Sequence, residues 1–322
     1  MGRRLMICML LLAVALAASA CRQQAPPLRT RAEAIPTTAV KALPADDAYP
    51  PVLHAAAWQE PIPMPGPINT AGAEDSPFVT PDGNTFYFFF TPDASIPPQQ
   101  QLYDGASGIW WAKRVGGAWA EPERVLLNRG VALDGCECAA GDVLWFCSAR
   151  AGNLGEIDVY IAHLENGRWA RWENAGAQLN KELDIGEFHL SADGRTLYFH
   201  WSHAGGFGGL DLWMCEKTAQ GWGQPVNLGP AVNSAQDEGW PFISADGREL
   251  WFTGASRLGY PGPAVFRSLR VADGSWGPAE EIISQFAGEP TLDATGNLYF
   301  VHHYIEDGRI LEADIYLARR TP

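Results

Sequence analysis

Acidic side chains return through this chain about every fifty residues, at Asp75, Asp134, Glu187, Glu238 and Glu289. Carboxyl groups gathered in one place push each other's pKa values apart, so that one can act as an acid while another acts as a base. Asp75, Glu187 and Glu289 are the candidates for such catalytic work. In glycoside hydrolysis, two carboxyls ~5–5.5 Å apart serve retention and ~6.5–9.5 Å serve inversion. Trp201, His203 and Tyr260 fall between the acids and His302 follows the last of them, with Tyr103, Arg150, Arg257, His303 and Tyr304 as further residues of the same stretches. Together with the five acids, the first four form a candidate ligand-binding set. The plainer account is that repeated acids hydrogen-bond to backbone N–H groups as repeated turn residues do.

Other chemistries find less support. His200-Trp-Ser-His203 precedes Gly205-Gly-Phe-Gly-Gly209, but the loop joins two strands and lacks the Lys and strand-to-helix setting of a phosphate cradle. No Gly-x-Ser-x-Gly turn marks a nucleophilic Ser. Cys136-x-Cys138 is not a zinc spacing and no Asp-x-Asp-x-Asp-Gly loop occurs, so neither a metal nor a cofactor is expected. Cys136, Cys138, Cys147 and Cys215 allow three full disulfide pairings, among them a Cys136–Cys147 cross-strand bridge.

The first twenty residues read as a leader. Arg3 and Arg4 precede the apolar stretch Leu5 to Ala18, and Ala18-Ser-Ala20 leads into Cys21. This resembles a bacterial lipoprotein signal, with Cys21 as the lipid attachment point; the alternative is ordinary secretory cleavage near Ala20. Arg22, rather than Asp, follows Cys21, which by the same resemblance implies the periplasmic side of the outer membrane. Removing residues 1–20 leaves 21 basic against 37 acidic residues, a net charge of −16. Such a surface repels nucleic acid. Residues 21–52 are rich in Pro and Ala without strand or helix period, and are expected to form a flexible tether.

The elements that must position the acids lie in residues 53–322. A strand ending in a tight turn recurs as Pro77-Phe-Val-Thr-Pro-Asp-Gly83, His189-Leu-Ser-Ala-Asp-Gly194 and Pro241-Phe-Ile-Ser-Ala-Asp-Gly247, with weaker copies ending at Gly141 and Gly296. An aromatic strand follows each turn (Phe86-Tyr-Phe88, Leu144-Trp-Phe146, Leu197-Tyr-Phe199, Leu250-Trp-Phe252, Leu298-Tyr-Phe300), and a third strand begins near Ile109, Asp158, Asp211, Val265 and Asp314. Counting back from each turn Gly places Ser76, Asp134, Glu187, Trp240 and Glu289 in one register. A period near fifty points to a propeller or a solenoid. A Trp-led edge segment also occurs five times, at Trp58, Trp119, Trp169, Trp222 and Trp276, but this set is displaced: its first copy precedes every other mark. The offset predicts an all-β chain, a five-bladed β-propeller of four-stranded antiparallel blades. Trp58–Asn69 would supply the outer strand missing from the last blade and so protect its edge.

Ser191-Ala-Asp-Gly-Arg-Thr-Leu-Tyr-Phe199, Gly205-Gly-Phe-Gly-Gly-Leu-Asp-Leu-Trp213, Gly221-Trp-Gly-Gln-Pro-Val-Asn-Leu-Gly229 and Val232-Asn-Ser234 resemble the WD40-like PD40 repeat of TolB-type and OmpA-associated envelope propellers. The resemblance covers about residues 55–322 and implies fold and compartment more than activity. From it follows the expected function: a monomeric, lipid-anchored module binding an envelope protein or glycan at an acidic channel mouth. A glycoside hydrolase or lyase using Asp75, Glu187 and Glu289 is the alternative.

Overall fold

The repeated Asp-Gly turns fold as hairpins. The computed structural model describes residues 25–321 apart from residues 184 and 186. Asp82 accepts from the Thr80 hydroxyl and the Asn84 N–H, and Asp193 and Asp246 make the equivalent pairs. The following Gly83, Gly194 and Gly247 take φ of 70°, 66° and 69°, a conformation that glycine adopts without steric cost.

Each hairpin joins the two inner strands of a blade. Blade 1 runs Ala73–Val79, Thr85–Thr91 and Gly108–Val115, with Ala118–Trp119 and Glu123–Arg124 at its edge. Blade 2 comprises Ala132–Ala140, Val143–Arg150, Asp158–Glu165 and Arg168–Asn174. Blade 3 has Phe188–Leu190, Thr196–Trp201, Asp211–Thr218, Gly221–Trp222 and Val226–Asn227. Blade 4 has Glu238–Ile243, Glu249–Ala255, Pro263–Leu269 and Glu280–Ser284. Blade 5 supplies Ala287–Leu292, Leu298–Glu306 and Arg309–Ala318, and its fourth strand is Ile62–Pro63 from the front of the chain. All pairings are antiparallel, so the expected five-bladed propeller and its closure stand. Aromatic residues of the second strands, Phe86, Phe88, Phe146, Phe199, Phe252 and Phe300, are fully buried in the blade cores.

The closing strand is fixed by a device that other blades share. Asn180 bridges the backbone N–H and C=O of Val159 in blade 2, and Asn233 does the same to Leu212 in blade 3. Asn69 performs this task for Ile315 in blade 5. Trp58 bridges to Arg320, meets Trp251 edge-on at 5.4 Å, and donates its indole N–H to the Gly296 carbonyl.

The glycine-rich loop has a structural task as well. It wraps the Asp211 carboxylate, which accepts from the backbone of Phe207 and Gly208 and from the Asn227 amide. A Cβ on Gly206 would fall 2.4 Å from Asp211 Oδ2, and one on Gly208 would fall 1.8 Å from the Gln236 carbonyl oxygen.

The expectation of a flexible tether over residues 21–52 is corrected for its described part. That segment lies on the propeller because several of its charged side chains meet buried polar partners. Arg31 pairs with Glu74 at 3.3 Å and donates to the carbonyls of Pro67 and Ile68. Lys41 binds Glu312 and Asp314. Asp47 meets His302 at 2.7 Å. Val52–Leu53 then adds a fifth strand to the edge of blade 4. Burial pushes Glu74 up to about 7 despite Arg31 beside it. Replacing Arg31 with Met is therefore expected to cost about 3 kcal/mol at pH 8, where Glu74 would be charged and unpaired, and clearly less at pH 5, where it takes a proton. Denaturant melts at the two pH values measure this; an equal loss at both would refute it.

Candidate functional site

Four of the five innermost strands carry a bulge at the same position. Ser76, Cys136, Trp240 and Glu289 take φ of 48°, 56°, 50° and 54°, each at a register shift against the second strand. Such left-handed non-glycine residues cost ~1–3 kcal/mol apiece and cluster where function demands them. These four and Glu187 line the channel together with Glu137.

Blade 2 departs from the register inferred by counting back from Gly141. Its hairpin pairs Ala140 with Val143, whereas blade 1 needs a longer turn between Val79 and Phe86. The shorter turn brings Cys136, not Asp134, to the channel and puts Glu137 where blades 1, 4 and 5 carry Pro77, Pro241 and Pro290. The Asp-Gly turn is missing there, but it is missing in blade 5 as well, where the count holds, so the sequence carried no specific sign of the shortening.

Asp134 and Glu238 belong instead to an outer set with Glu74, and each member has its own arginine. Asp134 binds Arg150 at 2.6 Å, Ser148 and Asn128. Glu238 binds Arg257 at 3.2 Å and the N–H and hydroxyl of Ser234. These acids tie the incoming link of a blade to its inner strand, as the plainer account of repeated acids holds.

The inner set is different. Asp75, Glu137, Glu187 and Glu289 act on one another electrostatically, and no Lys or Arg among the described residues figures in the forces on any of them. Burial, then repulsion from Glu289, Glu137 and Glu187, holds Asp75 well above the usual carboxylate range. Burial likewise raises Glu137, and pushes Glu187 and Glu289 up to about 7. Glu289 accepts from the Ser76 N–H and hydroxyl at 2.7 and 2.8 Å. Glu187 accepts from the Cys136 thiol at 2.9 Å, and its own N–H donates to His200. Neither carboxylate oxygen of Glu137 has a hydrogen-bond partner. The structure thus brings Asp75, Glu187 and Glu289 together and adds Glu137.

The other candidates do not join them. Trp201 stacks on His203 at 3.9 Å and meets Trp213 edge-on. Tyr260 packs on His54. His302 is buried against Asp47. Trp240, Phe78, Phe188 and Phe242 line the channel beside these carboxylates. Cys136, Cys138, Cys147 and Cys215 are free thiols, with Cys136 and Cys147 in side-chain contact. Among the described residues no His, Cys, Asp and Glu group is arranged to hold a metal, and no helix is long and apolar enough to cross a membrane.

The class these features define is a five-bladed β-propeller with an acidic channel, the architecture that the PD40-repeat resemblance implies. No family model and no curated protein matches the sequence. Similar solved structures include TolB from Acinetobacter baumannii, at 15% identity and a TM-score of 0.41 over 73% of this chain. The match spans 53% of that protein's length. The putative TolB from Agrobacterium tumefaciens is 17% identical, with a TM-score of 0.40 over 79% of this chain and 92% of that one. The subtype N11 neuraminidase-like protein of a flat-faced bat influenza virus (H18N11) matches at 11% identity and a TM-score of 0.38, over 85% of this chain and 99% of that one. Each is a likeness of fold.

Proposed function

We propose that this chain is an exported, lipid-anchored binding module of the bacterial envelope whose acidic channel mouth receives a basic group from a protein partner. One observation carries the reading: the buried set Asp75, Glu137, Glu187 and Glu289 has no cation of its own, while Glu74, Asp134 and Glu238 each have an arginine. Uncompensated buried carboxylates are costly, and a lysine or arginine arriving from outside would relieve that cost on binding. Lipid attachment at Cys21, which lies outside the described residues, would hold the module at the membrane through acyl chains alone. The glycan-cleaving alternative has suitable carboxyls but little room, because the cavity beside them measures about 60 Å³. Small-molecule sites commonly occupy ~300–1,000 Å³.

The test is retention of envelope proteins on immobilised wild type and on a Glu187→Gln, Glu289→Gln variant. Retention by the wild type of proteins that raised salt releases and the variant loses would support the proposal. An identical retained set on both would overturn it. Sugar release from a glycan panel, lost in the same variant, would establish the enzyme instead.

A further inference from the structure

The face around the acidic mouth carries apolar side chains that the fold does not use. In every blade the inner strand begins at this end of the channel, and the link between the second and third strands lies there too, with the inner hairpins at the other end. Each of these five links presents a large apolar side chain to solvent: Tyr103, Leu154, Phe207, Leu258 with Tyr260, and Leu311 near the hairpin tip of blade 5. Their exposure runs from 37% to 58%. Apolar residues exposed singly and at random need no explanation, but a set at one topological position in all five blades does.

Three of these side chains are held outward by the same device. The N–H of Leu154 donates to Asp158, that of Phe207 to Asp211 and that of Leu258 to Glu281. These bonds fix the backbone and involve no side-chain atom of the three residues, so a polar residue would hold each loop equally well. Apolar surface that is ordered in advance loses little entropy on contact, which favours binding.

Charge indicates what covers this face. The chain carries a net charge of −14, and the carboxylates at the centre of the face lack a cation of their own. A second copy of the chain or an anionic lipid surface would bring like charge to it. We infer that the face docks a protein whose contact patch sets a lysine or arginine among apolar side chains. The basic group enters the mouth, and the apolar contacts around it exclude water. This rests on the acidic mouth being a receptor for a basic group, and adds the apolar surround.

The test measures fluorescence anisotropy of two dye-labelled peptides with the full chain. One is Ac-Leu-Ser-Leu-Ser-Lys-Ser-Leu-Ser-Leu-amide, and the other has serine for every leucine. The leucine peptide should bind about tenfold more tightly. Phe207→Ser with Leu258→Ser keeps both backbone bonds, and should remove most of that advantage while leaving the serine peptide unaffected. Val115→Ser with Val271→Ser, on hairpins at the other end, should change neither affinity. Equal binding of the two peptides, lost in the Glu187→Gln, Glu289→Gln variant, would overturn the apolar surround and keep the acidic mouth. Binding of the leucine peptide that survives in that variant would overturn both. Failure of the leucine peptide to bind, or sedimentation with phosphatidylcholine vesicles that Phe207→Ser with Leu258→Ser abolishes, would also overturn the inference.

Discussion

The Glu187→Gln, Glu289→Gln variant should melt about 5 °C above the wild type at pH 8, with the gap closing as the pH falls below 5. Both groups are raised from 4.5 to about 7 by burial. The folded protein therefore keeps protons that the unfolded chain has already released. The stability these groups contribute is fully present below pH 4.5 and is lost as the pH rises through about 7. At pH 8 each must be charged in a site that disfavours charge. A shift of that size corresponds to roughly 3 kcal/mol per group, but Glu187 is partly exposed and solvent screens it. A net gain on the order of 2 kcal/mol for the pair is a suitable expectation, at ~2–4 °C per kcal/mol for a domain of this size. A site whose removal stabilises the fold is held in place for another purpose. Calorimetry at pH 8 and pH 4.5 decides the matter, and a variant less stable than the wild type at both would make the carboxylates structural.

Trp58→Ala is expected to destabilise the domain by about 3–5 kcal/mol and lower its melting temperature by about 10 °C. Trp58 is 3% exposed, lies edge-on to Trp251, and is flanked by the guanidinium groups of Arg267 and Arg320. Its loss would leave a cavity where the front of the chain meets blades 4 and 5. Trp58→Phe should recover roughly half, because the apolar contact survives and the hydrogen bond to Gly296 does not. Urea titration of the three proteins measures this. A loss below about 1 kcal/mol for Trp58→Ala would mean that the strand Ile62–Pro63 and Asn69 hold the last blade without it.

The architecture was legible because each blade repeats its marks and the Trp set is displaced by one. Those are covalent facts of spacing, and they survive folding unchanged. The site was legible in part. Glu187 and Glu289 emerged from a count that assumes hairpins of equal length. The same count failed in blade 2, where the turn between Ala140 and Val143 is short and exchanges Asp134 for Cys136 and Glu137. The other candidates failed for another reason. Trp201, His203, Tyr260 and His302 sit at comparable positions in sequence, but each packs on a neighbour that the fold brings to it from elsewhere, here Trp213, His54 and Asp47. The segment before residue 53 misled by composition. Its prolines signal an extended chain, and an extended chain can still be pinned at Arg31, Lys41 and Asp47. Pairing partners so distant in sequence leave no local trace.

The contact between Asn69 and Ile315 has a kinetic side. It joins residues 246 positions apart. Bringing such distant points together spends chain entropy before any packing returns it, so this step is slow and comes late. During synthesis the front of the chain must wait, unpaired, until the final residues have appeared. Blades 1 to 4 contain all their own inner strands, so only the last blade depends on this late meeting of the two ends.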